Sequence, residues 1–558
     1  MRGGYLKLII RDDMKKILTI AIGITALAAN AQETYESAQL ATQDLNGTAK
    51  YIGMGGAMEA LGADISTINT NPAGIGLFRR SWIGASAGFT SQSSSFDGAS
   101  VGADIGDNGK TNVDFNQLGF VWSTKTGNDS RMNFAFNFQK SRNFNQILQA
   151  VNSLYDASAN KVNYMKNYWY KENLSLQDLV IGAVVGENLK FDPNDEDVYY
   201  RGANAYAGKY NNRGWIGNFD FNISGNIHDK VYLGFTLGIK SVHYRSTNVY
   251  DEQLTDIDGI TDGGIFGFTD ERRITGSGID AKFGAIFRPI EGSPFRFGVY
   301  INTPTWYNLD CYGDMSAAAD FRTLDEATNT QYDYAYNRNK ANAHYDYEYA
   351  ISTPWRFGAS IGHTFGKTVA IGATYEYADY SGIKNRIVEG TYIDYDGFSS
   401  KQTSKDYQMD ANNDIALRGV SLLKVGAEIK PIPELAVRFG YNWQSAIYKD
   451  SGYKDITIDN DPAYGSVGAY YTTYDFVNWK ATHRLTFGLG INIGKNWGLD
   501  LAYQYSTQKG EYYPFTTTES EVYRNTTTDE YTTDLNYGTG TTVHNNRHQF
   551  NMTLGYRF

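Results

Sequence analysis

Segments of alternating polarity, separated by gaps that are long and short in strict turn, constrain this chain more than any other feature. The last segment is the clearest. Phe550, Met552, Leu554, Tyr556 and Phe558 alternate with Gln549, Asn551, Thr553, Gly555 and Arg557. Val231, Leu233, Phe235, Leu237 and Ile239 do the same, as do Leu485, Phe487, Leu489, Ile491 and Ile493. Period two puts one set on each face of a strand. A soluble sandwich with one buried face would alternate too, so the gaps have to decide.

Strands are expected near 81–91, 113–124, 131–142, 212–226, 229–247, 271–288, 294–309, 353–364, 367–381, 416–430, 433–447, 480–494, 497–510 and 543–558. Short gaps include Gly366, Pro431-Ile432 and Lys495-Asn496, and long ones 143–211, 310–352, 382–415, 448–479 and 511–542. A sandwich has no reason to gather every long loop at one end. An outer-membrane barrel does, with short periplasmic turns and long external loops. Its strands must close, because an open edge in lipid leaves backbone groups unsatisfied. The expected fold is an all-β transmembrane barrel of about 14 antiparallel strands. The over-long segments 229–247 and 271–288 leave that count open by two.

Composition agrees. Tyr 44, Phe 29 and Trp 9 stand beside Gly 58 and Pro 10, a mixture rich in strand formers. The formal net charge of −11 gives no electrostatic footprint for nucleic acid. Cys311 is the one cysteine, which excludes an intramolecular disulfide framework. The mean hydropathy of −0.45 looks soluble, but polar loops and a polar lumen would lower the mean of any barrel.

Export is written at the start. Met14-Lys15-Lys16, a short apolar run and Ala29-Asn30-Ala31-Gln32 read as a cleaved signal peptide over 14–31. Residues 1–13 read as a mis-called start. The mature chain would begin at Gln32, with an extra module over 32–80 and the barrel over 81–558, placed in the cell outer membrane.

Residues 32–80 do not alternate. They carry Gly53-Met54-Gly55-Gly56-Ala57 and Asn71-Pro72-Ala73. The glycines allow close backbone approach. Asn71 before Pro72 suits a helix cap followed by the first helical position. In this order and place, just ahead of the first strand, the segment resembles the hatch of the long-chain fatty-acid transporter (FadL/TodX-type) outer-membrane family. Gly-Met-Gly-Gly-Ala and Ala63-Asp64-Ile65-Ser66-Thr67 resemble its Bacteroidetes-type branch. The resemblance implies a fourteen-stranded barrel with the hatch as a plug in the lumen, and passive uptake of hydrophobic compounds of the long-chain fatty-acid kind. It implies gating at Asn71, Pro72, Ala73, Gly53, Gly55 and Gly56, and lateral release into the membrane. Phe558 resembles the terminal aromatic by which the barrel-assembly machinery recognises such chains. The other partners expected are hydrophobic small molecules, outer-membrane lipid and lipopolysaccharide, with the chain as a monomer.

The inward strand faces carry Asp220, Lys282, Arg296, Arg356, Glu376, Lys424, Glu428, Arg438 and Asp500. Arg438 is expected diagonally across a hairpin from Lys424 and Glu428. So charged a lumen is a poor path for an acyl chain. The expectation is therefore a local apolar pocket near the hatch with sideways exit. In the longest loop, Trp169, Tyr170, Leu179, Ile181 and Val184 form an apolar stretch that reads either as a capture groove or as a cap packed on other loops.

Other chemistries lack a pattern. His544 and His548 would lie roughly 13 Å apart on a strand, and only His243, His344 and His483 fall where an external haem site would need them. The acidic runs Asp192–Asp197, Asp256–Asp258 and Asp459–Asp461 lack the full spacing of a calcium loop. No His-Glu-x-x-His motif is present. No cofactor, metal or enzyme activity is expected. A hemin or other hydrophobic-ligand receptor and a non-transport structural or adhesive barrel are the rival readings.

Overall fold

The computed structural model describes residues 33–98, 106–163, 176–185, 190–191, 198–199, 202–255, 262–325, 330–333, 339–393, 399–455, 473–525 and 530–558. The expected signal peptide lies outside them.

Fourteen antiparallel strands form one closed wall. In chain order they are β1 (Trp82–Asp97), β2 (Gly109–Lys125), β3 (Arg131–Asn143, continuing as Gln146–Ser153), β4 (Ala203–Ile227), β5 (Val231–Thr255) and β6 (Asp262–Phe287). Four interrupted strands follow: β7 (Arg296–Asn302 and Trp306–Asp325), β8 (Asn339–Ser352 and Arg356–Phe365), β9 (Val369–Asp379 and Lys384–Ile393) and β10 (Ser399–Lys405 and Gly419–Ile432). The ring finishes with β11 (Leu435–Gln444), β12 (Phe476–Ile493), β13 (Trp497–Tyr513) and β14 (Thr541–Arg557). β14 pairs back with β1 from Trp82↔Arg557 to Asp97↔Thr542, which closes the ring. Among the described residues no helix is long and apolar enough to cross a membrane.

The alternation sorts the faces as expected. Phe550, Met552 and Leu554 are exposed on the outside while Asn551 and Thr553 are buried inside. Hydrocarbon is the solvent for that outer band.

The strands outrun their expected ends. β4 and β5 have 25 residues each and β6 has 26, where a crossing needs about 9–11. Much of the expected loops 143–211 and 310–352 is therefore wall: residues 146–153, 203–211, 310–325 and 339–352 are strand. The apolar–polar signal fades there because the outer face meets water instead of lipid. Tyr345, Tyr347 and Tyr349 point into an external core, while Asp346 and Glu348 between them face out. In β7 and β8 the breaks fall at Thr303-Pro304-Thr305 and Thr353-Pro354-Trp355, where proline removes a ladder donor.

Residues 33–80 run down the inside of the ring. They form helices α1 (Thr34–Ala41) and α2 (Ala49–Gly53) and two 3-10 turns, Ile65–Asn69 and Pro72–Leu77. Thr48 caps α2 by accepting from the Tyr51 amide. The segment starts beside Arg272 near the external core and ends at the short-turn rim, where Asn133 donates to the Ile75 carbonyl at 2.6 Å.

Candidate functional site

Among the described residues, the ladder between β2 and β3 breaks off partway. β2 pairs with β3 only from Gln117↔Gln139 to Lys125↔Arg131, although its outer half continues to pair with β1 as far as Ser93↔Gly109. Beyond Gln139, β3 leaves β2 and bends inward. Its outer half lies against β1, where Ile147 and the side chain of Gln92 exchange hydrogen bonds of 2.8 and 2.9 Å. Gly214 in the facing strand has a φ of 114° and accepts from the Phe144 amide at the bend; left-handed backbone of this kind favours glycine. Side chains span the opening in place of a ladder. Lys140 pairs with Asp114 at 2.7 Å, Asn143 donates to Asp114 at 2.9 Å, and Lys110 donates to Asn211 at 3.1 Å.

The N-terminal segment meets the backbone that β2 leaves behind. The Asp44 amide donates to Ser141 O at 2.8 Å, and the Asp44 carboxylate accepts from the Asn143 amide at 2.8 Å and from Arg142 at 2.7 Å. Asn46 donates to Lys140 O at 2.8 Å and to the side chain of Asn116 on β2 at 3.1 Å. Gln139 donates back to Asn46 O at 2.8 Å. A buried backbone group left unpaired is costly, and residues 44–46 supply partners here in place of a strand. Burial alone would raise the Asp44 carboxyl, but Arg142 and Arg547 outweigh it and hold it below the ordinary carboxylate value.

The motif residues lie deeper. Asn71 is fully buried; its side chain accepts from the Ala73 amide at 3.2 Å and donates to Glu59 O at 3.3 Å. Pro72 opens the 3-10 turn as expected and lies against Gly234 of β5. Ala73 is buried with Leu77, Tyr232 and Ile286. Gly53 faces Gly488, and Gly55 (φ +63°) faces the backbone of Tyr441 and Val425. Gly56 (φ +79°) packs on Leu45 and Tyr51.

Two features of this contact were not anticipated from sequence. One is a track of glycines across four neighbouring strands, Gly362↔Gly372↔Gly426↔Gly440. Residues 54–61 bed on its inner side: a Cβ on Gly372 would strike Ala57 O, and one on Gly426 would strike Met54 O. The other is Glu59, fully buried, which pairs with Lys424 at 2.7 Å and accepts from Tyr51 at 3.0 Å and Thr374 at 2.7 Å.

Two cavities of about 70 Å³ each lie within the ring. The inner one adjoins residues 43–46 and is lined by Asn69, Gln139, Arg356, Glu376, Lys424 and Arg484. Its lining mixes polar and apolar groups, and the inward charges stay at the cavity wall because each is held by a neighbour. Arg438 and Glu428 face each other directly in the ladder at 2.6 Å, not diagonally as expected, and Lys282 bridges Asp220 and Asp280 at 2.9 and 2.6 Å. The outer cavity adjoins α1. There burial raises the Glu36 carboxyl more than the Arg272 guanidinium lowers it.

Of the loop stretch, Trp169 and Tyr170 lie outside the described residues. Leu179, Ile181 and Val184 fall on helix α3 (Leu176–Val185). Ile181 and Val184 are buried in the external core. The histidines are scattered. His243 lies tilted against Trp215 with ring centroids 4.7 Å apart, His344 pairs with Asp314 at 3.1 Å, and His483 shares a hydrogen bond of 2.8 Å with Tyr441. Among the described residues no group of His, Cys, Asp and Glu could hold a metal. The three acidic runs lie outside them.

No family model matches the chain, and no curated protein matches it. Solved structures do. A Pseudomonas aeruginosa FadL homologue is 11% identical with a TM-score of 0.47, covering 92% of this chain and 99% of that one. The Ralstonia pickettii toluene transporter TbuX is 12% identical with a TM-score of 0.44, again covering 92% and 99%. The Pseudomonas putida toluene transporter TodX is 11% identical with a TM-score of 0.43, covering 93% and 99%. These are likenesses of shape at low identity, and the reading of function rests on the geometry of the wall and its plug.

Proposed function

We propose that the chain is a passive outer-membrane channel for hydrophobic small molecules, in which residues 32–80 form a hatch and cargo leaves sideways between β2 and β3. The observation that carries this is the opening in the wall, stopped by Asp44 and Asn46 in place of a strand. A hydrophobic molecule gains by leaving a polar lumen for lipid without crossing water, and an exit through the wall supplies that route. Cargo is captured among the external loops that include 164–189, and passes to the inner cavity as α1 and residues 43–46 move. Gly53, Gly55, Gly56 and Asn71-Pro72-Ala73 hold the rest of the hatch close to the wall, so the part that moves is short. Long-chain fatty acids are the cargo that the sequence resemblance implies, and the toluene transporters among the structural neighbours mark the other end of the size range. The chain works as a monomer, is assembled through its Phe558 terminus, and sits among lipid and lipopolysaccharide.

The test is a reversible cross-link. Cysteines at Asn46 and Asn116, in a background where buried Cys311 is serine, would tie the plug to β2. Uptake of a labelled hydrophobic probe should fall on oxidation and return on reduction. Equal uptake in both states, with the cross-link verified by mass spectrometry, would reject sideways exit at this opening.

A further inference from the structure

The charge balance of the outer cavity bears on which hydrophobic molecules enter. Its apolar walls are aromatic, formed by Tyr35, Tyr244, Phe476 and Trp479. Its charged lining is two cations and four carboxylates, Arg272 and Lys454 against Glu33, Glu36, Asp270 and Asp475, set among neutral side chains such as Gln39, Gln146 and Asn212. Every nitrogen of Arg272 has a partner. Nη1 pairs with Glu36, Nη2 with Glu33 and Asp270 at 3.3 Å each, and Nε donates to the Tyr345 hydroxyl at 3.2 Å. Lys454 lies 3.5 Å from Glu33 and donates to Thr473 O and Oγ1 at 2.8 Å. An entering carboxylate would add a fifth acid to a site whose guanidinium is already divided among three. Like charges at such range disfavour one another strongly, and a buried anion without its own partner is costly.

A second observation points to what is accepted. The Asn248 side-chain amide lines this cavity and is buried to 1% exposure. Its nitrogen donates to both oxygens of Asp475, at 2.9 and 3.1 Å, which fixes the orientation of the amide, since a carboxylate cannot donate. Its oxygen is left without a hydrogen-bond partner among the described residues. A buried acceptor in that condition calls for a donor.

We propose that the outer cavity takes the head group of an amphipathic molecule that offers a hydrogen-bond donor and bears no negative charge, an amine or an alcohol on an apolar body, and turns carboxylates away. The volume of about 70 Å³ suits a head group, with the tail lying along the aromatic wall. This rests on the channel reading above and narrows its cargo away from the fatty acids that the sequence resemblance implies.

The experiment holds the tail constant and changes the head. The mature chain in nanodiscs is loaded with the fluorophore N-phenyl-1-naphthylamine, and decylamine, decanol and decanoate are titrated as competitors, with empty nanodiscs subtracted. Decylamine and decanol should displace the probe at concentrations about tenfold lower than decanoate. Asn248→Leu should weaken amine and alcohol while leaving decanoate unchanged. Glu36→Gln, which removes one carboxylate and keeps a hydrogen-bonding amide, should narrow the gap between amine and decanoate. Decanoate binding as tightly as the other two would overturn the head-group assignment and leave the channel reading standing. A probe that never binds above the empty-nanodisc signal would overturn both.

Discussion

Asp44 and Glu36 belong to the same buried segment, yet their carboxyls are displaced in opposite directions. Asp44 lies below its ordinary value of 3.8, so its contribution is fully present above that pH and is lost as pH falls through the lower folded value. Glu36 lies above its ordinary 4.5, so its charged form costs stability near neutrality and protonation relieves that cost as pH falls toward the raised value. Hydrogen exchange should therefore show α1 better protected at pH 5 than at pH 7, while residues 43–46 hold until below about pH 3.8. Protection that falls for both over the first interval would contradict the assignment. Lys424 gives a sharper change. Lys424→Met leaves Glu59 buried and unpaired, a loss of about 3–5 kcal/mol, read as faster exchange of residues 51–71 in a barrel that still migrates as folded. Little of this was legible in the chain itself. Asn71 as a cap before Pro72 could be read because capping spans two residues, whereas Asn46 meets partners 70 and 94 positions away and nothing local marks it.

Among the elements, the glycine track is where wall and plug are fitted to each other. Each of these glycines could be assigned to the small inward set of its own strand. That Gly362, Gly372, Gly426 and Gly440 stand side by side follows only from the register of the ladders. Gly372→Ala and Gly426→Ala put a methyl into the backbone of residues 54–57 without disturbing any outward side chain. Both should give assembled barrels with raised ion conductance in planar bilayers; Gly382→Ala, which would meet nothing within 4 Å, should leave conductance as it was. If all three behave alike, the track does not seat the plug. The strand ends were misjudged for a different reason. Apolar alternation reports contact with lipid, and β4 to β6 continue as hydrogen-bonded ladder far above it, where tyrosine takes over the inner face.

On the scale of the whole molecule, ring and plug are separable. The ladder closes through β1 and β14 alone, so a chain lacking residues 33–77 but retaining its export signal should assemble as a heat-modifiable barrel with higher conductance and faster probe entry. Failure to assemble would mean that the plug is needed to build the wall. Strand number to within two, strand order and the side of each long loop were legible because period two and gap length are properties of a chain lying between lipid and water, and need no partner. The tertiary structure alone decided where β3 parts from β2, which backbone groups that leaves open, and that Asp44 and Asn46 answer them. Those depend on register and on contacts between distant residues, such as the Ala49 amide of the plug donating to Thr553 of the wall at 2.7 Å; no local pattern in the chain encodes which distant residue will be there.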